Sequence, residues 1–368
     1  LAKRRHFSYA RITLIASATS SSPIEITGES YCVNNSKVTM KKIRIGQIGT
    51  AHGHAAGKLE VFRKSPDYEV IGIVEPDPVL RQQAEASEVY RDLPWMTVDQ
   101  LLRVADLQLV AIETAPGQLL DHAEQCVDAG MHIHLDKPAG ESLIQFRRIL
   151  DQAARRHLTV QMGYMYRYHP GVVLLRNLLR KGFLGDPFEL HAVMSKLVDQ
   201  TSRRKLAAYQ GGMMFELGCH LIDVIIDLLG PPESVESIAR HSGSQNDKLQ
   251  DNMLAVLSYG KGIATVKSSA LEVDGGARRH LVLCGTEGTF HLEPLDSPKV
   301  VRLTLAKERG KYRQGFQEVA IPPFQRYVGD LADLAKVIRG EKILDWSPIH
   351  DLLVQETVLK ASGCPTDV

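Results

Sequence analysis

The sequence has no apolar run long enough to cross a bilayer, no cysteine pair at C-x-x-C spacing, and no real excess of either charge. Its formal net charge is +1, so no overall field draws it to nucleic acid or to an anionic membrane. The largest like-charged cluster, Arg203-Arg204-Lys205, reads as a solvated loop rather than a nucleic-acid site. Cys32, Cys126, Cys219, Cys284 and Cys364 are odd in number and widely scattered, a poor disulfide framework. Reduced thiols in a cytoplasm fit them best. An intact G-x-G-x-x-G is missing too. The stretch KKIRIGQIGTAHGHAAG opens like a nucleotide-binding strand and loop, but counting from Gly49 the second glycine is Ala51 and the third is His54.

A chain of 368 residues suggests two domains, and 44% hydrophobic with 24% charged residues is an ordinary soluble composition. Residues 1–39 stand apart, with little amphipathic period. They read as a disordered leader or as sequence translated ahead of a start at Met40. The alternative is an export signal, from Arg4-Arg5 and an A-x-A-like Ala16-Ser17-Ala18, though the apolar stretch between them is very short.

From residue 40 to 163, strand-like runs at 42–48, 68–74, 107–112, 132–135 and 159–163 alternate with helical segments. Thr97-Gln100 and Ser142-Gln145 are capping boxes that open two of the helices. Short alternating units mean a parallel, doubly wound sheet. From 164 to 368 the rhythm changes. Helices near 171–181 and 213–229 precede strands at 235–239, 252–258, 263–269, 280–284, 300–305 and 317–321, with a turn at 286–289. Helices return at 324–339 and 348–361 and can pack back on the first domain. That pattern implies a second, α+β domain with a mainly antiparallel sheet.

Three places carry chemistry. In GGMMFELGCHLIDVIIDLLG, a regular helix puts Glu216, His220, Asp223 and Asp227 in one stripe among apolar residues. The stripe reads either as the wet face of an ordinary helix or as a general acid/base, His220, oriented by Glu216. One histidine with flanking acids is too few ligands for a metal, and none is expected. In MHIHLDKPAG, Lys137 stands beyond the carboxyl end of a buried strand, where ligands of such sheets bind. His132 and His134 share one face of that strand and read as packed, hydrogen-bonded histidines. Glu75 follows the second strand, where a carboxylate accepts from both ribose hydroxyls and repels a 2′-phosphate, favouring NAD over NADP. Asp77 competes for that role, and either can be a turn acid.

Together these residues resemble the glucose–fructose oxidoreductase and inositol dehydrogenase (Gfo/Idh/MocA-like) family over nearly the whole chain from Met40. The likeness rests on the G-x-x-G ending at Gly49, Asp136-Lys137-Pro138 in place of Glu-Lys-Pro, GYMYRYHP at the domain junction, and GGMMFELGCHLID. It implies a Rossmann-type domain holding NAD(P) and an α+β domain with an open sheet. Lys137 and His220 would carry proton transfer during oxidation of a secondary alcohol of a sugar, cyclitol or related polyol. Glu216 stands where the family often has Asp. Cofactor contacts would come from Gly49, Thr50, Ala51, His52, Glu75, Thr114 and Asp136, and substrate contacts from Tyr166, Arg167 and Asp223. A homodimer or homotetramer is the expected assembly. The alternatives are a glycosidase with transient redox by bound NAD and a non-catalytic dinucleotide-binding regulator.

Overall fold

The computed structural model describes residues 41–208 and 210–367. The leader at 1–39, Met40 and Cys32 lie outside the described residues. The first sheet forms from near-continuous apolar runs, as strands buried on both faces must. These are β1 (Ile43–Ile48), β2 (Tyr68–Val74), β3 (Leu109–Ile112), β4 (His132–Leu135) and β5 (Val160–Met162). They pair in parallel in the order β2-β1-β3-β4-β5. The crossover helices are α1 (Ala55–Lys64), α2 (Pro78–Glu85), α3 (Val98–Leu102), α4 (Pro116–Asp128) and α5 (Leu143–Arg155). Thr97 and Gln100 form the expected reciprocal cap on α3. Ser142 Oγ likewise accepts from Gln145 N at the start of α5. Strand order reverses between β1 and β3, so a crevice opens beyond their carboxyl ends.

Next come α6 (Pro170–Arg180), β6 (Pro187–Val193), α7 (Gln200–Leu206) and α8 (Cys219–Leu229). The strands β7 (Ser234–Arg240), β8 (Asn252–Tyr259), β9 (Gly262–Ser269), β10 (His280–Gly285), β11 (Gly288–Leu292), β12 (Val300–Leu305) and β13 (Gly315–Ala320) follow. The second sheet has eight strands in the order β13-β12-β11-β10-β6-β9-β8-β7. Every pairing is antiparallel except β6 with β9. The fold is therefore α/β, a Rossmann-type parallel sheet followed by a mainly antiparallel one. Two strands, β6 and β11, were not expected, and the turn at 286–289 is tighter than anticipated, since Gly285 and Gly288 already pair. Arg203-Arg204-Lys205 is not a loop but part of α7. Arg203 is buried against Asp247 and Asp251, at 2.5 and 2.7 Å.

The apolar α8 packs between the second sheet and α10 (Pro348–Ala361), and α10 also lies on α5. Gln355 of α10 clasps the backbone after β4, accepting from Ala139 N at 3.0 Å and donating to Gly140 O at 2.7 Å. Helix α9 (Val328–Ile338) meets the first sheet through its carbonyl at Leu331, which accepts from the Tyr68 hydroxyl at 2.6 Å. Among the described residues no helix is long and apolar enough to cross a membrane, and Cys126, Cys219, Cys284 and Cys364 are all free thiols.

Helix α9 also buries a carboxyl, Asp330, whose Oδ2 has no hydrogen-bonding partner among the described residues. Burial pushes its pKa from 3.8 up to about 6, although Lys58 and nearby backbone N–H groups pull the other way. A folded pKa above the unfolded one means the fold holds this proton more tightly. The advantage is complete below the unfolded value and is lost as pH rises through about 6, after which the charged group costs about 3 kcal/mol. Asp330→Asn is therefore expected to raise the urea midpoint at pH 8 and leave it nearly unchanged at pH 4. An equal effect at both values would trace the change to packing instead.

Candidate active site

The crevice begins at Gly49, whose φ of +92° suits glycine. A Cβ there would stand 2.6 Å from Thr114 N and Cγ2, so the loop after β1 lies directly on the loop after β3. Among the described residues Thr114 Oγ1, buried there, has no hydrogen-bonding partner. A tight glycine turn facing an unpaired buried hydroxyl at the strand-order reversal fits a dinucleotide, which would lie against Gly49, Thr50, Ala51 and Thr114. Glu75 faces the same loop, its Oε2 accepting from Thr50 N at 2.7 Å and Thr50 Oγ1 at 2.8 Å. Asp77 instead caps α2, accepting from Val79 N and Leu80 N at 2.8 and 3.1 Å. The two acids thus separate, Asp77 to the helix and Glu75 to the loop.

Behind the loop lies a buried charged group that the sequence did not reveal. Lys58 of α1, fully buried, donates to Glu113 Oε1 at 2.8 Å and to Asp136 Oδ1 at 2.6 Å. Burial works against the ammonium, yet Asp136 and Glu113 hold it above its ordinary pKa. Burial also pushes Glu113 up to about 8, with Lys58 opposing. Asp136 goes the other way: despite burial, His52, Lys58 and His54 hold its carboxyl well below the usual range. His52 Nδ1 lies 2.7 Å from Asp136 Oδ2, and His54 Nδ1 lies 3.3 Å from Oδ1. His132 and His134 are hydrogen-bonded as expected, to Thr159 N at 2.9 Å and to Gln161 Oε1 at 2.9 Å.

Lys137 is buried and donates to the Glu216 carbonyl at 2.8 Å. That carbonyl lies in a π-helical turn, Met214–Gly218, directly before α8. Such turns interrupt the normal i→i−4 ladder and recur at functional sites. Here Gly218 permits the turn, since a Cβ would strike Met214 Sδ at 2.3 Å. The wide turn corrects the expectation of one stripe through Glu216, His220, Asp223 and Asp227, because it offsets Glu216 from the residues after it. Glu216 Oε1 lies 3.9 Å from Lys137 Nζ, whereas Asp223 and Asp227 meet Arg167 and Arg176, each at 2.6 Å. Burial opposes the Lys137 charge, but Glu216 and its neighbours hold the pKa above the ordinary value.

His220 is 3% exposed, and its Nδ1 has no hydrogen-bonding partner among the described residues. Glu216 therefore does not orient it through that nitrogen. The rings of Tyr166 and Tyr164 do, standing edge-on at centroid distances of 5.4 and 6.1 Å. Burial, then Lys137 and His54, drive the His220 pKa well below its ordinary value, so the imidazole is neutral. Lys196, just after β6, is a further lysine beside Glu216 and Lys137 that the sequence did not single out. Burial lowers its pKa and Glu216 partly restores it.

The three expected substrate contacts are engaged by the protein. Arg167, 3% exposed, donates through Nε and one terminal nitrogen to Asp223 at 3.0 and 2.6 Å, and to Asp351 at 2.6 Å. The Tyr166 hydroxyl donates to Asp296. These groups brace the elements that carry His220, for burying a charge requires such pairing.

A parallel nucleotide-type sheet with a tight glycine turn at its strand-order reversal, followed by a mainly antiparallel sheet, defines a dinucleotide-binding architecture. Residues 43–164 match an oxidoreductase family with an NAD-binding Rossmann fold, and residues 172–291 match the GFO/IDH/MocA C-terminal domain. The chain belongs to the Gfo/Idh/MocA oxidoreductase family. It is 25% identical over 310 residues to dTDP-3,4-didehydro-2,6-dideoxy-alpha-D-glucose 3-reductase of Streptomyces violaceoruber, covering 82% of this chain and 86% of that one. It is 24% identical to trans-1,2-dihydrobenzene-1,2-diol dehydrogenase of Bos taurus, covering 63% of this chain and 68% of that one. Across the relatives compared, the alignments span 54% to 86% of their lengths. The solved structure of GenD2 from gentamicin A biosynthesis, in complex with NAD, superposes with a TM-score of 0.73 at 18% identity, covering 88% of this chain and 94% of that one.

Proposed function

We propose that the chain is an NAD-dependent dehydrogenase that oxidises a secondary alcohol of a sugar, cyclitol or related polyol. The observation that carries this reading is the contrast between two buried groups: Lys137 Nζ is anchored on the Glu216 carbonyl at 2.8 Å, whereas His220 Nδ1 has no hydrogen-bonding partner among the described residues. Lys137 is held charged and His220 neutral, the kind of divergence that separates electrostatic from proton-accepting roles. Bound along Gly49, Thr50, Ala51 and Thr114, the dinucleotide supplies the hydride acceptor. The Lys137 ammonium stabilises negative charge on the substrate oxygen as it forms, and the neutral His220 imidazole takes the hydroxyl proton. The Glu216 carbonyl fixes the ammonium from below. The Tyr164 and Tyr166 rings fix the imidazole and exclude water from one side of it.

Glu75 supports NAD as the cofactor, because its carboxylate repels a 2′-phosphate. Fluorescence titration of cofactor-stripped protein is expected to show NADH binding and much weaker NADPH binding. Glu75→Gln should narrow the gap by removing the repulsive charge. Binding of neither nucleotide would sink the reading, and NADH accumulating with substrate turnover separates it from the glycosidase alternative. The second sheet supports self-association. Its strand alternation leaves Ile238, Ile263 and Phe316 exposed on the face away from the helices, and sedimentation equilibrium reads the resulting dimer or tetramer.

A further inference from the structure

His52 and His54 stand in the degenerate glycine loop, and no dinucleotide fingerprint calls for them. The fold brings both to one carboxylate, Asp136, at the end of β4. One donor atom from each of the three residues lies within 4.8 Å of the others. The imidazole rings stand 4.4 Å apart at 64° to one another, so their nitrogens approach the carboxylate from different directions. Asp136 itself is preset. Lys58 donates to Oδ1 at 2.6 Å and is held in turn by Glu113 at 2.8 Å. Oδ2 is buried with no hydrogen-bonding partner among the described residues beyond the close His52 nitrogen at 2.7 Å.

From this geometry we propose that His52, His54 and Asp136 form a three-ligand site for a divalent transition metal of the zinc type, with a fourth position for a solvent or ligand oxygen. Two imidazole nitrogens and one carboxylate oxygen are a donor set that such ions use when one position stays open. Magnesium and calcium favour all-oxygen shells and are not expected here. The dimensions agree. Metal–ligand bonds of about 2.0–2.1 Å in a tetrahedron set ligand atoms about 3.4 Å apart. The present separations, from 2.7 Å at the shortest to within 4.8 Å, bracket that value, and binding would open the His52–Asp136 contact and turn the His52 ring off the His54 N–H that its Nδ1 now accepts at 3.3 Å. Ligating carboxylates are commonly oriented by a second hydrogen bond, which Lys58 supplies on the oxygen away from the metal. Its positive charge would repel the ion, and the Asp136 carboxylate standing between the two offsets that repulsion. The side chains of His52 and His54 are 10% and 17% exposed, leaving an entry path past an otherwise buried carboxylate. The site neighbours the catalytic groups, as the His54 and His220 ring centroids are 5.9 Å apart.

The site does not rest on the dinucleotide reading, so it is tested with no nucleotide present. Chelator-stripped full chain is titrated calorimetrically with Zn²⁺, and separately with Co²⁺ while visible absorption is recorded. The expected result is one saturable equivalent and the strong d–d bands of four-coordinate cobalt. Both should vanish in the His52→Gln/His54→Gln double variant and in Asp136→Asn, while Mg²⁺ shows no binding to the parent. The metal-free melting curve of the double variant checks that it folds, and His54→Gln alone serves if it does not. Absence of a saturable equivalent, or binding that survives loss of both histidines, overturns the site. NADH titration of the same preparations shows separately whether the dinucleotide reading stands.

Discussion

Replacing Lys137 with methionine is expected to lower kcat/KM by roughly 10²- to 10⁴-fold, the usual contribution of a positioned acid–base or charged group, while NADH affinity stays close to that of the parent. The split follows from where the side chain ends. Its ammonium is anchored on the Glu216 carbonyl, beside His220, rather than on the Gly49–Thr114 crevice where the dinucleotide would lie. Methionine keeps the buried stem and deletes the charge, so the loss falls on the chemical step. Lys137→Arg is the informative companion. It keeps the charge but puts a planar fork where a compact ammonium now meets one carbonyl, and is expected to recover only part of the activity. Equal losses of NADH binding and turnover in Lys137→Met would instead mark the lysine as a general structural cation, and its role in stabilising charge on the substrate oxygen would fall. His220→Gln is expected to match the methionine variant, because a neutral imidazole is the remaining proton acceptor.

The first sheet was largely legible because its strands are buried on both faces. Runs such as YEVIGIV and LVAI are apolar throughout, and the residues between them carry caps and turns. The second sheet hid two strands for the opposite reason. PFELHAV begins with proline and sets Glu189 and His191 on the outer face, so its apolar content is too thin to stand out. Its place at the centre is fixed by β9 and β10, and the His191–Thr265 contact alone spans 74 residues of sequence. Nothing local announces such a partner. The π-turn was hidden similarly, since a periodic reading assumes one helical pitch throughout, and Gly218 was the sole local sign of crowding.

Around the crevice, the residues that the sequence singled out are those with a backbone or motif signature: the glycine turn, the Asp-Lys-Pro after β4, and the histidine in the apolar helix. Lys58 and Glu113 have none. In AAGKLEVFRK the buried lysine reads like any solvated one, and its partners Glu113 and Asp136 lie 55 and 78 residues further on. The fold alone makes it an interior cation. Arg167 shows the opposite mismatch between residue type and setting. Its type suggested substrate recognition, whereas packing gave it two carboxylates of its own.

That reversal leads to the largest expected loss of stability. Arg167→Met is expected to cost about 3–5 kcal/mol, read as a fall in the urea midpoint, because it leaves Asp223 and Asp351 buried without their cation. The two acids are not equivalent. Burial disfavours charge on both, but Arg167 with His350 holds Asp223 below its ordinary pKa, whereas Asp351 stays above it. Asp351 is therefore the group that takes a proton first when the guanidinium is gone, limiting the damage but not removing it. Adding Asp223→Leu and Asp351→Leu to Arg167→Met should recover much of the stability, since replacing a whole buried ionic cluster with apolar groups is often nearly neutral. Activity should not recover with it, because the Tyr164 and Trp346 rings, now 5.1 and 4.9 Å from the guanidinium, lose the planar partner that holds this side of α8. A loss below about 1 kcal/mol in Arg167→Met would put the cluster on a par with a surface pair. The guanidinium would then be free to turn toward the cleft, and substrate recognition would again be its better assignment.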